Sequence, residues 1–232
     1  SIPFGNWGPV RVRLHFWLLL SILFIFIAYG RASAFQLGVL HASFLIGALL
    51  LHEFGNRFAA RQVCGWHDEF MLWPAGGMIH PSCPPNPWAT LVSHSGGIVA
   101  NLLVALGCGL AANLIYGVKL AFPWNPLLAF GGAPLLMGTT PPALLAQFMF
   151  VNASIMWIAL MPFYWFKGAY ILQSILWKWT GYKQAVNVTC IVGMVIAAPM
   201  FLLSLYSTNL LGMVLWALLF ASSFSRRKQV QF

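Results

Sequence analysis

Six stretches of this sequence are apolar over a length close to that of a bilayer, and little else about the chain constrains its fold as much. They run over about 14–30, 35–61, 88–118, 143–162, 185–206 and 208–224, the last two separated by a short turn at Ser207–Asn209. A helix needs about 20 largely apolar residues to cross the hydrocarbon core. Backbone polar groups there must be satisfied internally, which restricts spanning structures to helices and closed barrels. Sixty per cent of the residues are hydrophobic and 6% are charged, against about 25% charged in a soluble domain. The expectation is an all-α polytopic membrane protein of about six transmembrane helices. The first apolar run is long enough to span, so it reads as a helix rather than a cleavable signal.

The charges give an orientation. Arg11, Arg13, Arg57, Arg61, Lys178, Lys183, Arg226, Arg227 and Lys228 fall on one side of the predicted spans, and Arg31 and Lys119 on the other. Basic residues mark the cytoplasmic side, so both termini are expected there. The net charge of +9 comes without a basic stripe or a base-stacking module, so nucleic acid is not an expected partner. Cys64, Cys83, Cys108 and Cys190 are scattered without a C-x-x-C pair, which argues against a disulfide framework or a cysteine zinc site.

Two connections are unlike ordinary loops. Residues 66–87, "WHDEFMLWPAGGMIHPSCPPNP", are too polar to span and too apolar to be solvated. They read as an extended hairpin or re-entrant segment packed on protein. Residues 119–142 are rich in Pro and Gly and read as an outer loop lying along the membrane surface.

The chemistry concentrates in "LLHEFGNRF" at residues 50–58. In an H-E-x-x-H helix the two imidazoles share one face and bind zinc, while the glutamate handles the proton of the attacking water. Here His52 and Glu53 are present, but the i+4 position is Asn56, and an amide is a poor zinc ligand. His67, His80 and His94 are further candidates, either for a rebuilt metal site with His52 or as hydrogen-bonded histidines of a bundle. Asp68 and Glu69 read as interfacial charges pairing with Arg57 or Arg61. Asn101 and Asn152, inside spans, suit hydrogen bonding between helices.

Several of these segments together resemble the site-2 protease family of intramembrane zinc proteases, in its compact six-span form, over roughly residues 8–182. "GPVRVRLHFWLLL" is similar to that family's entry into its first helix, and "HEFGN" to its H-E-F-G-H. "WPAGGMI" is similar to its L-P-x-G-G element. "GGIVANLL" follows A-G-P-x-x-N-L through Gly97 and Asn101. "VNASIMWIALMPFYWFKGAYIL" follows its N-x7-N-x-x-P-x-x-P-L-D-G-G stretch through Asn152, Pro162 and Gly168. The resemblance implies a single transmembrane domain over 1–232, with a core about 35–182, the extended hairpin about 66–87 and a C-terminal helix pair about 185–224. It also implies a groove for a substrate or partner helix near Gly76, Gly77, Asn101 and Asn152, and a bacterial inner-membrane location.

Two positions that the resemblance assigns to zinc carry other residues: Asn56 for a histidine, and Lys167 for the aspartate. Ile98, Ala159 and Ala169 also depart from the family pattern. An ammonium beside a dication is unfavourable in a low-dielectric site. The family's zinc, aspartate and glutamate sum to zero charge, however, and so do Lys167 and Glu53. A buried Glu53–Lys167 ion pair is therefore expected, with snorkelling of Lys167 to the interface as the alternative. The functional expectation is a catalytically inactive scaffold or binding subunit, with no metal or other cofactor. Its partners would be membrane lipids and other transmembrane helices of a larger complex. The alternatives are a zinc metalloendopeptidase with a rearranged ligand set, or an unrelated transporter-like or lipid-handling role.

Overall fold

The structure is a computed structural model and describes residues 1–29, 35–74, 76–124 and 138–231. Arg31 and most of the predicted outer loop over 119–142 lie outside them.

The chain opens with two strands, β1 (Ile2–Trp7) and β2 (Val10–Leu14), followed by the helices α1 (Phe16–Tyr29) and α2 (Phe35–Gln62). Strands β3 (Glu69–Trp73) and β4 (Gly76–Gly77) come next. The helices α3 (Pro87–Tyr116), α4 (Pro141–Ala159), α5 (Lys167–Thr180), α6 (Tyr182–Tyr206) and α7 (Leu210–Gln231) complete the chain. Helices α2, α3, α4 and α6 are long and apolar enough to cross a membrane, and the apolar part of α1, Phe16–Ile27, is shorter.

Local chemistry sets the limits of α3. The Asn86 side chain accepts the Ala89 N–H at 2.7 Å, and Pro87 takes the first helical position, where a missing N–H leaves nothing unpaired. The helix ends at Gly117 with φ +68°, and its N–H returns to the Asn113 carbonyl at 3.0 Å. Val99, Leu103, Leu106, Leu110 and Leu114 recur every three or four residues along α3 and are exposed. A stripe of that kind, left uncovered by protein, suits contact with lipid.

The all-α expectation is corrected by a four-stranded sheet in the order β1-β2-β3-β4. β2 runs antiparallel to β1 and parallel to β3, in a register from Arg11↔Glu69 to Leu14↔Leu72. β3 and β4 pair antiparallel through Leu72↔Gly77 and Trp73↔Gly76. The cause is the alternation in "VRVRL": Val10, Val12 and Leu14 are buried while Arg11 is exposed, as a half-buried strand requires. These side chains join Phe70 and Leu72 of β3, Leu49 of α2 and Ile155 of α4 in one apolar cluster. That cluster ties the sheet to the helices carrying the candidate site.

Helices α2 and α3 approach closely at Gly55 and Gly96. A Cβ on either glycine would collide with the other's carbonyl. Small residues allow backbones to come this near in a membrane, and the approach sets the α2 face bearing His52, Glu53 and Asn56 against α3.

Candidate functional site

His52, Glu53 and Asn56 lie on one face of α2 and are fully buried. Asn56 bridges two elements. Its amide Nδ2–H donates to Glu53 Oε1 at 3.0 Å, and its Oδ1 accepts the Gly97 N–H of α3 at 2.8 Å. Both ends of the amide are thereby committed. The second carboxylate oxygen, Oε2, lies 2.5 Å from His67 Nε2. His67 follows α2 in the chain, and its ring packs 5.1 Å from that of Phe70. Nothing in the spacing of residues 53 and 67 signals this contact, because the turn between them decides it.

The His52 ring is held from the other side. Its Nδ1 lies 3.0 Å from Asn101 Oδ1. The Asn101 Nδ2 donates to the Ala48 carbonyl at 3.3 Å and to Asn152 Oδ1 at 3.1 Å. The Ala48 carbonyl can only accept, so it fixes the Asn101 amide. The N–H of His52 is therefore on Nδ1, and its Nε2 carries the lone pair. That Nε2 is buried and has no hydrogen-bond partner among the described residues. Gly97 packs so closely on the ring that a Cβ there would sit 2.6 Å from Cδ2. Asn152 also donates to the Phe148 carbonyl at 2.8 Å. Asn101 and Asn152 are fully buried in this network, which joins α2, α3 and α4.

Strand β4 closes the site. Gly76 has φ +127°, a conformation suited to glycine, and a Cβ there would lie 3.7 Å from His52 Nε2. A Cβ on Gly77 would fall onto the Glu53 carboxyl group. The two glycines thus lie directly over the His–Glu pair.

Lys167 begins α5 and is 2% exposed. The sequence suggests a direct pair with Glu53, and the structure corrects this. The Lys167 ammonium donates to the Ile79 carbonyl at 3.0 Å and lies 3.5 Å from His80 Nδ1. The Glu53 carboxylate is already taken by Asn56 and His67. Snorkelling does not describe Lys167 either, since the whole side chain is enclosed. The acidic residues after α2 divide: Asp68 pairs with Arg57 at 2.8 Å as expected, whereas Glu69 pairs with Arg13 of β2 at 2.9 Å. The parallel register places Arg13 within reach of Glu69.

His80 and His94 stand apart from His52, packed against Tyr170 of α5 at 4.3 and 4.5 Å between ring centroids. Among the described residues, no group of three or more His, Cys, Asp and Glu side chains converges in a way that could hold a metal ion.

The chain is similar in fold to a solved structure, the site-2 protease from Methanocaldococcus jannaschii. The TM-score is 0.64 at 19% sequence identity, over 98% of this chain and 95% of that one. No protein-family model matches the sequence, and no curated protein matches it. The fold is therefore site-2-protease-like, and with its apolar helices it marks an integral membrane protein.

Proposed function

We propose that this chain is a catalytically inactive site-2-protease-like protein that acts as a binding or scaffold subunit within a membrane assembly. The observation that carries the reading is the use of Asn56 and Lys167, the residues at two positions that the resemblance assigns to zinc. Asn56 spends both ends of its amide on Glu53 and Gly97. Lys167 brings a buried ammonium, bound to the Ile79 carbonyl. A zinc ion at His52 would have one imidazole, no second strong donor from these positions and a cation nearby. Three protein ligands are usual for a catalytic zinc, and the residues present do not fit one.

In this reading the glycine and asparagine framework is kept for its shape. Gly97, Asn101 and Asn152 hold α2, α3 and α4 together. Six spans, including α1 and α7, would put both termini on the cytoplasmic side of a bacterial inner membrane. The partners would be lipids and the spans of other membrane proteins, met laterally along exposed apolar helix faces such as that of α3.

One observation favours the second reading, a zinc metalloendopeptidase with a rearranged ligand set. The His52 Nε2, unpartnered among the described residues, is where an imidazole would offer a lone pair to a metal. Elemental analysis of the purified chain separates the two readings, with Asn56→His/Lys167→Asp as the control. The native chain should carry no stoichiometric zinc, and the double variant should acquire about one ion per chain because three donors are then restored. One zinc per native chain would overturn the scaffold reading. Its positive signature is a partner membrane protein recovered at fixed stoichiometry with zinc-free chain.

A further inference from the structure

A cavity of about 590 Å³ lies at the corner where α5 gives way to α6, against the end of α7. Its size falls within the usual range for a small-molecule pocket, about 300–1,000 Å³. Arg227, Lys183 and Asn187 line it, and among the described residues no acidic side chain does. The sequence has three acidic side chains against twelve basic ones, and all three are engaged elsewhere. Glu53 is held by Asn56 and His67, Asp68 pairs with Arg57, and Glu69 pairs with Arg13. The cavity is separate from the His52–Glu53 pair, and its capacity to bind does not depend on whether that pair is catalytic.

The wall is built to donate. Arg227 Nε donates to Asn187 Oδ1 at 2.8 Å. A guanidinium can only donate, so this bond fixes the Asn187 amide with its oxygen toward Arg227. It leaves the Asn187 NH2 group and the two terminal nitrogens of Arg227 without a hydrogen bond among the described residues, and none of these three nitrogens is sealed from solvent. The neighbouring cations of α7 are turned elsewhere. Arg226 lies over the Tyr164 ring and Lys228 over the Phe224 ring, 5.6 and 4.7 Å from the centroids. Helix α6 is long and apolar enough to cross a membrane, and the cavity lies at its first turn. Trp179, just before the corner, and Tyr182 on the cavity wall are exposed, the aromatic pattern of a span end at the membrane–water interface. No side chain caps the start of α6, so its positive end adds to the same field.

We propose that this cavity binds the phosphate of an anionic phospholipid. The two terminal nitrogens of Arg227 would take two phosphate oxygens side by side, the geometry in which a guanidinium matches phosphate. The Asn187 NH2 group would donate to the same phosphate, and Lys183 would bring a second positive charge. At the depth of the headgroups the phosphates of lipids are the anions at hand. A headgroup that carries its own ammonium would bring a cation toward Lys183 and Arg227 and would find no carboxylate to offset it.

The test is native mass spectrometry of the full chain from uncharged maltoside micelles, titrated with phosphatidylglycerol or with phosphatidylcholine. Phosphatidylglycerol should saturate at one molecule per chain. Phosphatidylcholine should bind about fivefold more weakly, the scale of one charge at a membrane surface. Arg227→Gln should weaken phosphatidylglycerol at least about tenfold, the scale of a lost hydrogen bond to a charged group. Asn187→Leu leaves the net charge unchanged and removes both the hold on Arg227 and a donor, so it too should weaken binding about tenfold. It decides alone should Arg227→Gln not fold. Arg11→Gln removes one charge from the exposed side of β2 and should weaken binding less than about twofold. Equal retention of the two lipids would overturn the proposal. So would equal losses in Arg11→Gln and Arg227→Gln, or unchanged binding in Asn187→Leu, either of which would mark diffuse attraction to a basic surface. Displacement of phosphatidylglycerol by an excess of inorganic phosphate would also overturn it, since the site would then serve free phosphate and not a lipid.

Discussion

Replacing Gly77 by alanine should be among the most damaging single-methyl additions in this protein. The backbone does not forbid it, because Gly77 lies outside the left-handed region, unlike Gly76. The obstacle is the Glu53 carboxyl group, which occupies the place a Cβ would take. That carboxylate cannot swing aside freely. Asn56 holds one oxygen at 3.0 Å and His67 the other at 2.5 Å, and the residue is fully buried. Overpacking a tight site costs about 1–3 kcal/mol, and each hydrogen bond to a charged group that must stretch or break adds about 1.5–3 kcal/mol. With one of the two bonds lost, Gly77→Ala should therefore cost about 2.5–6 kcal/mol, a large part of the roughly 5–15 kcal/mol that keeps a domain folded. The assay is reversible unfolding in mixed micelles, followed by far-ultraviolet circular dichroism, on a double-mutant cycle with Glu53→Ala. With the carboxyl group gone, the added methyl should cost less than about 1 kcal/mol, leaving a coupling of several kcal/mol. Additivity within about 0.5 kcal/mol would refute this reasoning, since it would mean that the two residues do not meet.

Other substitutions probe neighbouring parts of the site by the same unfolding measurement. Lys167→Met should destabilise by about 3–5 kcal/mol, the usual cost of removing one of two compensating buried charges. Adding Glu53→Gln should recover only part of this, because the ammonium is bound to the Ile79 carbonyl, and full recovery would point to a direct pair. His67→Phe keeps the ring beside Phe70 but removes the contact to Glu53, so a loss of about 1.5–3 kcal/mol is expected and unchanged stability would contradict the contact. Gly97→Ala would bring a Cβ to 2.5 Å from the His52 carbonyl, a backbone atom with little freedom to yield. It should cost at least about 1–3 kcal/mol, and a neutral result would mean that α2 and α3 can separate. Glu69→Gln touches a half-exposed pair with Arg13 and should change stability by less than about 1 kcal/mol, with little effect left at high salt.

What could be read from the residues was mostly what repeats along one element. The apolar runs marked the helices, and the i to i+4 relation placed His52, Glu53 and Asn56 on one face of α2. The departures came from partners brought together across elements. The alternation in "VRVRL" was a legible strand signal, but it is five residues long and runs into an apolar helix. Its parallel partner β3 lies far along the chain, with Arg13 and Glu69 separated by 56 positions. The partner of Lys167 was hidden for another reason. It is a backbone carbonyl, and every residue has one, so charge matching pointed to Glu53 instead. Helix α5 falls in the connection between the fourth and fifth apolar stretches and was not read as an element. Gly168, packed against the backbone of Leu160 and Met161, shows how sharply the chain turns before it.

The parallel pairing of β2 with β3 also sets an order of events during synthesis. Between the two strands lie α1 and α2, which carry the chain away from the sheet and back, as a parallel crossover requires. Until residue 73 has left the ribosome, β2 has β1 as its neighbour and lacks β3 on its other edge. Its Val10, Val12 and Leu14 wait for Phe70 and Leu72 to complete their packing. Strand β2 is thus completed late, only after the two helices that follow it in the chain have been made. A delay between emergence and docking of this kind leaves the free edge of β2 open to a chaperone, a protease or a competing strand.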